Sequence, residues 1–307
     1  MLNLLRADLF RTLRSTSFWV WTGVVVVLLA FVVAMLNWVA SPEFAQMVNA
    51  SISDESIQTM TPDERADALV EAGEAMQEMN ALNDKVLDSL TASWSNTFLD
   101  GGLLGIAGIC FVVIYLLADF KHGFIKNLPM DRRGRTRYYA SKLVYVALIQ
   151  AVFLLVCAVF TSLFFAIGGF TYAHADTVSE IALWLLLTWL TTTTYALICC
   201  VLAWAVRSDA IGTVAAVVIG GGVLGAFLQS LLGYLGSAMP FFAELSRWLP
   251  VDNLALLRHG AEGLFASTGN QSSFGLPLWG HVIMIAVLYI AVSCIVTLLV
   301  CRKRDIR

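Results

Sequence analysis

The richest concentration of ionisable side chains in this sequence is the stretch from Asp119 to Lys142. It carries Lys121, Lys126, Arg132, Arg133, Arg135, Arg137 and Lys142 against two acids, Asp119 and Asp131. Clustered cations of this kind hold an acidic protein surface or anionic lipid headgroups; they do not cleave bonds. Groups that could do covalent chemistry are scattered. His122, His174, His259 and His281 have no ligand spacing, and Cys110, Cys157, Cys199, Cys200, Cys294 and Cys301 form no CxxC pair, so neither a metal site nor a disulfide framework is indicated. There is no GxxxxGK[ST] phosphate loop, no HExxH and no GxSxG. The sequence reads as a non-enzyme with no catalytic, cofactor or metal residues.

The elements that must position the basic stretch are membrane helices. The 307 residues are 59% hydrophobic and 13% charged, with a mean hydropathy of +0.77, too apolar for an ordinary soluble domain. Six apolar runs are long enough to cross a bilayer as helices: 17–40, 98–118, 143–169, 181–206, 211–236 and 279–301. Continuous apolar runs, rather than short alternating ones, predict helices and not a barrel. The first run is too long for a signal-peptide core and reads as an uncleaved span. The fold class predicted is an all-α polytopic membrane protein of six spans.

Charge sets the expected orientation. Fifteen of the nineteen Lys and Arg residues fall before the first run, in 119–142, at Arg207 or in the tail 302–307; the opposite side has only Arg65, Lys85, Arg247 and Arg258. Basic loops stay in the cytoplasm, so both termini and 119–142 are expected there. Residues 1–16 place Leu2, Leu5, Leu9 and Leu13 at helical spacing with Arg6, Asp8, Arg11 and Arg14 off the stripe, predicting an amphipathic helix in the inner interface.

The other face is acidic. Segment 41–97 begins a helix at Thr61-Pro62-Asp63-Glu64, a capping box with Pro at the first helical position. Leu69, Met76, Met79, Val86, Leu90 and Trp94 continue an apolar stripe toward the membrane, and the segment with the start of the second span holds twelve acids against two bases. Such a surface attracts cationic cargo, or simply solvates an exposed helix. Segment 237–278, with Pro240, Pro250 and Pro277 and apolar runs too short to span, predicts re-entrant or interfacial helices.

Within the spans there is little to couple transport to an ion gradient. Asp100, Asp119, Glu180 and Asp209 sit near run ends, leaving Gln150, threonines 191–194, Gln229 and Ser293 in the interiors. Gly101 with Gly105 and Gly221 with Gly225 have GxxxG spacing and are candidate helix-packing sites, and Gly220 to Gly222 make the fifth run a candidate for bending.

Gly123, Lys126, Asn127, Leu128, Arg137, Ser141 and Lys142 follow the pattern by which the second span of ABC type-2 exporter permeases runs into the third. The chain resembles that family over essentially its whole length, and within it most resembles permeases of lantibiotic and bacitracin-type resistance or immunity transporters. The resemblance implies a permease subunit in a bacterial cytoplasmic membrane with no nucleotide site of its own. ATP and Mg would be bound by a separate cytoplasmic ATPase, present in two copies, alongside a second permease chain, identical or related. It also implies docking of the ATPase on the basic loop, for which Lys121, Phe124, Lys126, Arg132, Arg133 and Arg135 are the candidates. Lipid bilayer and cationic peptide are then the expected partners, with no nucleic acid. A non-transporting membrane anchor or signalling subunit is the alternative the same six helices could serve.

Overall fold

In a bilayer the backbone can satisfy its polar groups only within its own segment, and this chain does so almost entirely with helices. The computed structural model describes residues 2–41, 43–44, 85–121, 132–206, 208–265 and 276–303. The expected helix from Thr61, the loop positions Gly123, Phe124, Lys126, Asn127 and Leu128, and the tail beyond Lys303 lie outside them.

Helix α1 (Leu2–Arg14) turns at Ser15 into α2 (Thr16–Val39); the Ser15 hydroxyl accepts from the Phe18 amide, capping α2. After a short strand β1 (Val86–Leu87) come α3 (Leu90–Trp94), a π-helical turn (Ser95–Leu99) and α4 (Leu103–Lys121). The long α5 (Arg132–Gly168) leads through β2 (Thr171–Tyr172) to α6 (Val178–Val206), followed by α7 (Asp209–Gly220) and α8 (Val223–Ala238). Three short helices, α9 (Pro240–Ser246), α10 (Pro250–Arg258) and α11 (Gly260–Phe265), precede α12 (Leu278–Lys303).

Four helices are each long and apolar enough to cross a membrane: α2, α5 from Thr136, α6, and α12 to Leu299. Two bent pairs bring the crossings to as many as six: Leu90–Leu99 with Leu103–Asp119, meeting at 53°, and Ala210–Gly220 with Val223–Ser237, at 56°. The protein is an all-α polytopic membrane protein. Both bends fall at glycines in left-handed backbone, Gly102 (φ +68°) and Gly222 (φ +76°), a conformation that opposes a Cβ.

Helix α6 is the centre of the bundle, packed against α4, α5, α7 and α12. Its mid-section from Thr191 to Leu197 is buried on every side, which is why its sequence shows no amphipathic stripe. By contrast α2 buries only Phe18, Val25, Leu29 and Val33, and turns Trp19, Val20, Val24, Val27 and Phe31 outward.

Three expectations from hydropathy shift here. Residues 132–142, expected in the loop, are the first turns of α5, because good helix formers such as Arg, Ala and Lys continue the apolar run past the level where hydropathy falls. The stripe expected to run helically through Val86 is interrupted: Val86 and Leu87 pair in parallel with Thr171 and Tyr172, and Ser89 caps a new helix from Leu90. The second run is broken by glycine rather than straight, while the fifth bends at the glycines where bending was expected. The described part of segment 237–278 forms α9 and α10, each opened by Pro at its first position, and α11.

Candidate functional site: a buried ion cluster at the base of the basic segment

Helices α4 and α5 bracket the basic segment, and an antiparallel pair joined this way brings the end of one beside the start of the other. Asp119 lies two residues before the end of α4 and Lys142 three turns into α5, each 1% exposed. The Lys142 ammonium Nζ is 2.6 Å from Asp119 Oδ2 and 2.8 Å from Asp8 Oδ1 of α1. Arg11 of α1 reaches the other Asp119 oxygen, Nη2 to Oδ1, at 2.7 Å. Tyr138 donates to Asp119 Oδ2 at 2.9 Å. Arg11 Nε donates to the Tyr115 hydroxyl at 2.6 Å, which donates in turn to the Asp8 carbonyl at 3.2 Å.

Aromatic rings enclose the cations. The Lys142 ammonium lies 5.2 to 5.9 Å from the ring centres of Tyr138, Tyr115 and Tyr145, and the Arg11 guanidinium lies 4.5 Å over Tyr115. Tyr115 and Tyr145 are stacked at 4.9 Å, and the Tyr145 hydroxyl is 2.7 Å from that of Thr12. Two carboxylates and two cations balance, so three segments share one neutral group in which Asp8, Asp119 and Lys142 are buried and Arg11 closes the exposed side. Burying an ion costs several kcal/mol unless its partners stay in place. The cluster therefore holds α1, α4 and α5 in one arrangement, or comes apart as a unit. Burial, the largest single influence, opposes the charge on Arg11, but its hydrogen bond to the Asp119 carboxylate, the attraction of that charge and the contact with Tyr115 together outweigh it and raise the guanidinium above its usual range.

The cluster turns α1 on its axis relative to the sequence stripe. The face packed on the bundle is Leu5, Asp8, Leu9 and Thr12, with Asp8 and Thr12 buried, whereas Leu2 and Leu13 are exposed together with Phe10. Asp8 was expected on the outward polar face; it points inward because Lys142 is there to meet it. Leu2, Phe10 and Leu13 are left as an outer apolar face suited to the membrane interface.

Of the sequence-derived docking residues, Lys121 is the exposed last residue of α4, and Arg132, Arg133 and Arg135 fall in the first turn of α5. At the other end of the bundle, a Cβ on Gly105 would collide with the Gly220 carbonyl oxygen, and one on Gly102 would lie 3.0 Å from Gly221 Cα. Gly105 and Gly221 thus lie in a backbone-close crossing of α4 with the α7–α8 break. Gly101 has nothing within 4 Å, and Gly225 packs against Val251 of α10 rather than against α4. Among the described residues no group of three or more His, Cys, Asp or Glu side chains could share a metal ion.

The charges of the cluster were visible in the sequence as individuals, but not as partners. The available signal was an acid closing one apolar run and a base opening the next, each with a tyrosine four residues before it (Tyr115 and Asp119, Tyr138 and Lys142) on the same helical face.

The membrane-crossing helices and the charged joint define a multi-pass membrane protein with one end built to hold a loop. Residues 70–222, just under half of the chain, match the family model described as ABC-2 family transporter protein. The match takes in α3 to α7, and so the Asp119 and Lys142 side of the cluster but not α1. It supports an ABC-2 type permease, the membrane component of an ABC transporter, working with an ABC ATPase. No curated protein matches the chain.

Proposed function

We propose that this chain is the permease subunit of an ATP-driven exporter in a bacterial cytoplasmic membrane, with both termini and the segment between α4 and α5 in the cytoplasm. Two copies of a separate ATPase bind ATP and Mg and dock on the basic segment through Lys121, Phe124, Lys126, Arg132, Arg133 and Arg135. A second permease chain completes the transporter, and this chain binds no cofactor itself. The cargo is a cationic antimicrobial peptide of the lantibiotic or bacitracin kind, drawn to the acidic segment on the opposite face.

The observation that carries the reading is the ion cluster. Asp119 near the end of α4 and Lys142 three turns into α5 meet at 2.6 Å, so a partner that docks on the basic segment and shifts one of these helices acts on the other. Because Asp8 and Arg11 share those ions, α1 moves with them. This suits a chain with no mid-membrane charge to couple it to an ion gradient and no phosphate loop of its own.

Charge reversal at Lys126 and Arg133 tests it, with membrane insertion verified by protease mapping. The double variant is expected to lose co-purification of the ATPase and the stimulation of its ATP turnover. Full retention of both would overturn the docking assignment.

A further inference from the structure

Where the two broken spans face each other they leave a cavity of about 210 Å³. The breaks at Gly102 and Gly222 form part of its lining, and Leu99, Val223, Ala226, Val251 and Leu254 supply apolar surface. Tyr195 of α6 also lines it. This side chain is 6% exposed, and its hydroxyl has no hydrogen-bond partner in the protein. Buried hydroxyls without partners are rare, because removing one from water without replacing its bond costs free energy.

A second donor lies beside it. Helix α8 starts at Val223 behind Gly222, which has no side chain to cap it. Its first-turn amides point out of the N-terminus with the positive end of the helix dipole. A Cβ on Gly225, in that first turn, would lie 3.6 Å from the Tyr195 hydroxyl, so the two sets of donors adjoin.

The charge of the lining decides the kind of acceptor. Asp100 and Arg258 are the charged residues there, and they neutralise each other at 2.6 Å, both about half exposed. An anionic ligand would meet the Asp100 carboxylate and would have to take Arg258 from it. A neutral carbonyl meets neither penalty, and can accept from Tyr195 or the α8 amides while its apolar body lies against Val251 and Leu254. Val223, which borders the cavity, is 63% exposed on the apolar outer surface of α8. Entry from the bilayer is therefore open to an amphiphile.

We propose that this cavity is a binding site for a neutral, carbonyl-bearing amphiphile, held by the Tyr195 hydroxyl and the uncapped start of α8. The carbonyl could be the ester of a bilayer lipid or the amide of a free amphiphile. Binding is a property of this chain alone, so the proposal is independent of whether an ATPase docks.

The probe is an N-methyl fatty amide carrying a photoreactive diazirine on its acyl chain, applied to the full-length purified chain in nanodiscs of ether-linked lipid. Labelling is mapped by mass spectrometry. Expected is saturable labelling of residues around Val251 to Leu254, weakened roughly 3- to 10-fold in affinity by Tyr195→Phe, which removes one hydrogen bond. Ala226→Leu, which fills the cavity from a partly solvent-open position, is expected to abolish labelling. The matching fatty carboxylate probe is expected to label more weakly. Competition by ester-linked but not ether-linked phospholipid assigns the site to bilayer lipid; failure of both to compete assigns it to free amphiphiles. Labelling unchanged in both variants, no saturable labelling of these residues, or tighter binding of the carboxylate would overturn the proposal. Monodisperse elution of each variant establishes that it folds.

Discussion

Replacing Lys142 by Met removes a charge while keeping most of the side-chain volume, and so isolates what the ion cluster contributes. In the native protein Lys142 bridges Asp119 at 2.6 Å and Asp8 at 2.8 Å. Without it, Arg11 remains close to Asp119 at 2.7 Å but lies 3.8 Å from Asp8, and the group carries a net negative charge in a buried place. Deleting one partner of a buried pair destabilises by about 3–5 kcal/mol, because the remaining charge keeps its desolvation penalty. The lost ammonium–tyrosine contacts add about 0.5–2 kcal/mol. Helix α1 is joined to α4 and α5 by this group together with Leu5, Leu9 and Thr12, so the expected effect is local loosening of α1 rather than global unfolding. Amide hydrogen exchange of residues 2–14, followed by mass spectrometry in nanodiscs, reads it directly. A loss of about 3 kcal/mol corresponds to exchange roughly 100-fold faster, at about 1.4 kcal/mol per tenfold. Adding Asp119→Asn to Lys142→Met restores neutrality and should recover about 1–3 kcal/mol relative to the sum of the single variants. Unchanged exchange in Lys142→Met, or strict additivity in the double variant, would refute the argument that the ions act as one unit.

Two further outcomes follow from other parts of the molecule. Gly105→Ala places a Cβ against the Gly220 carbonyl and should destabilise by about 1–3 kcal/mol in thermal melts of the purified protein, whereas Gly101→Ala, with nothing within 4 Å, should stay within about 0.5 kcal/mol. A strain lacking this chain should become more sensitive to lantibiotic or bacitracin-type peptides in growth-inhibition assays; unchanged sensitivity across such peptides would point to another class of cargo.

Much of the fold was legible because lipid imposes one rule on every span. Runs such as that of α2 or α12 are long, apolar and nearly free of charge, and each forms a single helix. The glycine breaks were legible in part. Gly220 to Gly222 marked the bend between α7 and α8, but nothing around Gly101 and Gly102 distinguished a kink from a packing motif. That depends on the positive φ at Gly102, which side-chain pattern does not encode. The start of α5 was placed late because hydropathy measures the depth of the membrane, while a helix stops only where capping or glycine and proline stop it.

The basic segment is the clearest case of the division. The sequence by itself determined that its cations gather between the second and third apolar runs, since electrostatics sorts Lys and Arg to one side during insertion whatever the later packing. Only the tertiary structure decided that Asp119 and Lys142 meet, and that Asp8 and Arg11 arrive from more than a hundred residues away to complete the group. A charge pair becomes strong only when several partners are brought within about 3 Å and shielded from water together, and packing alone produces that geometry.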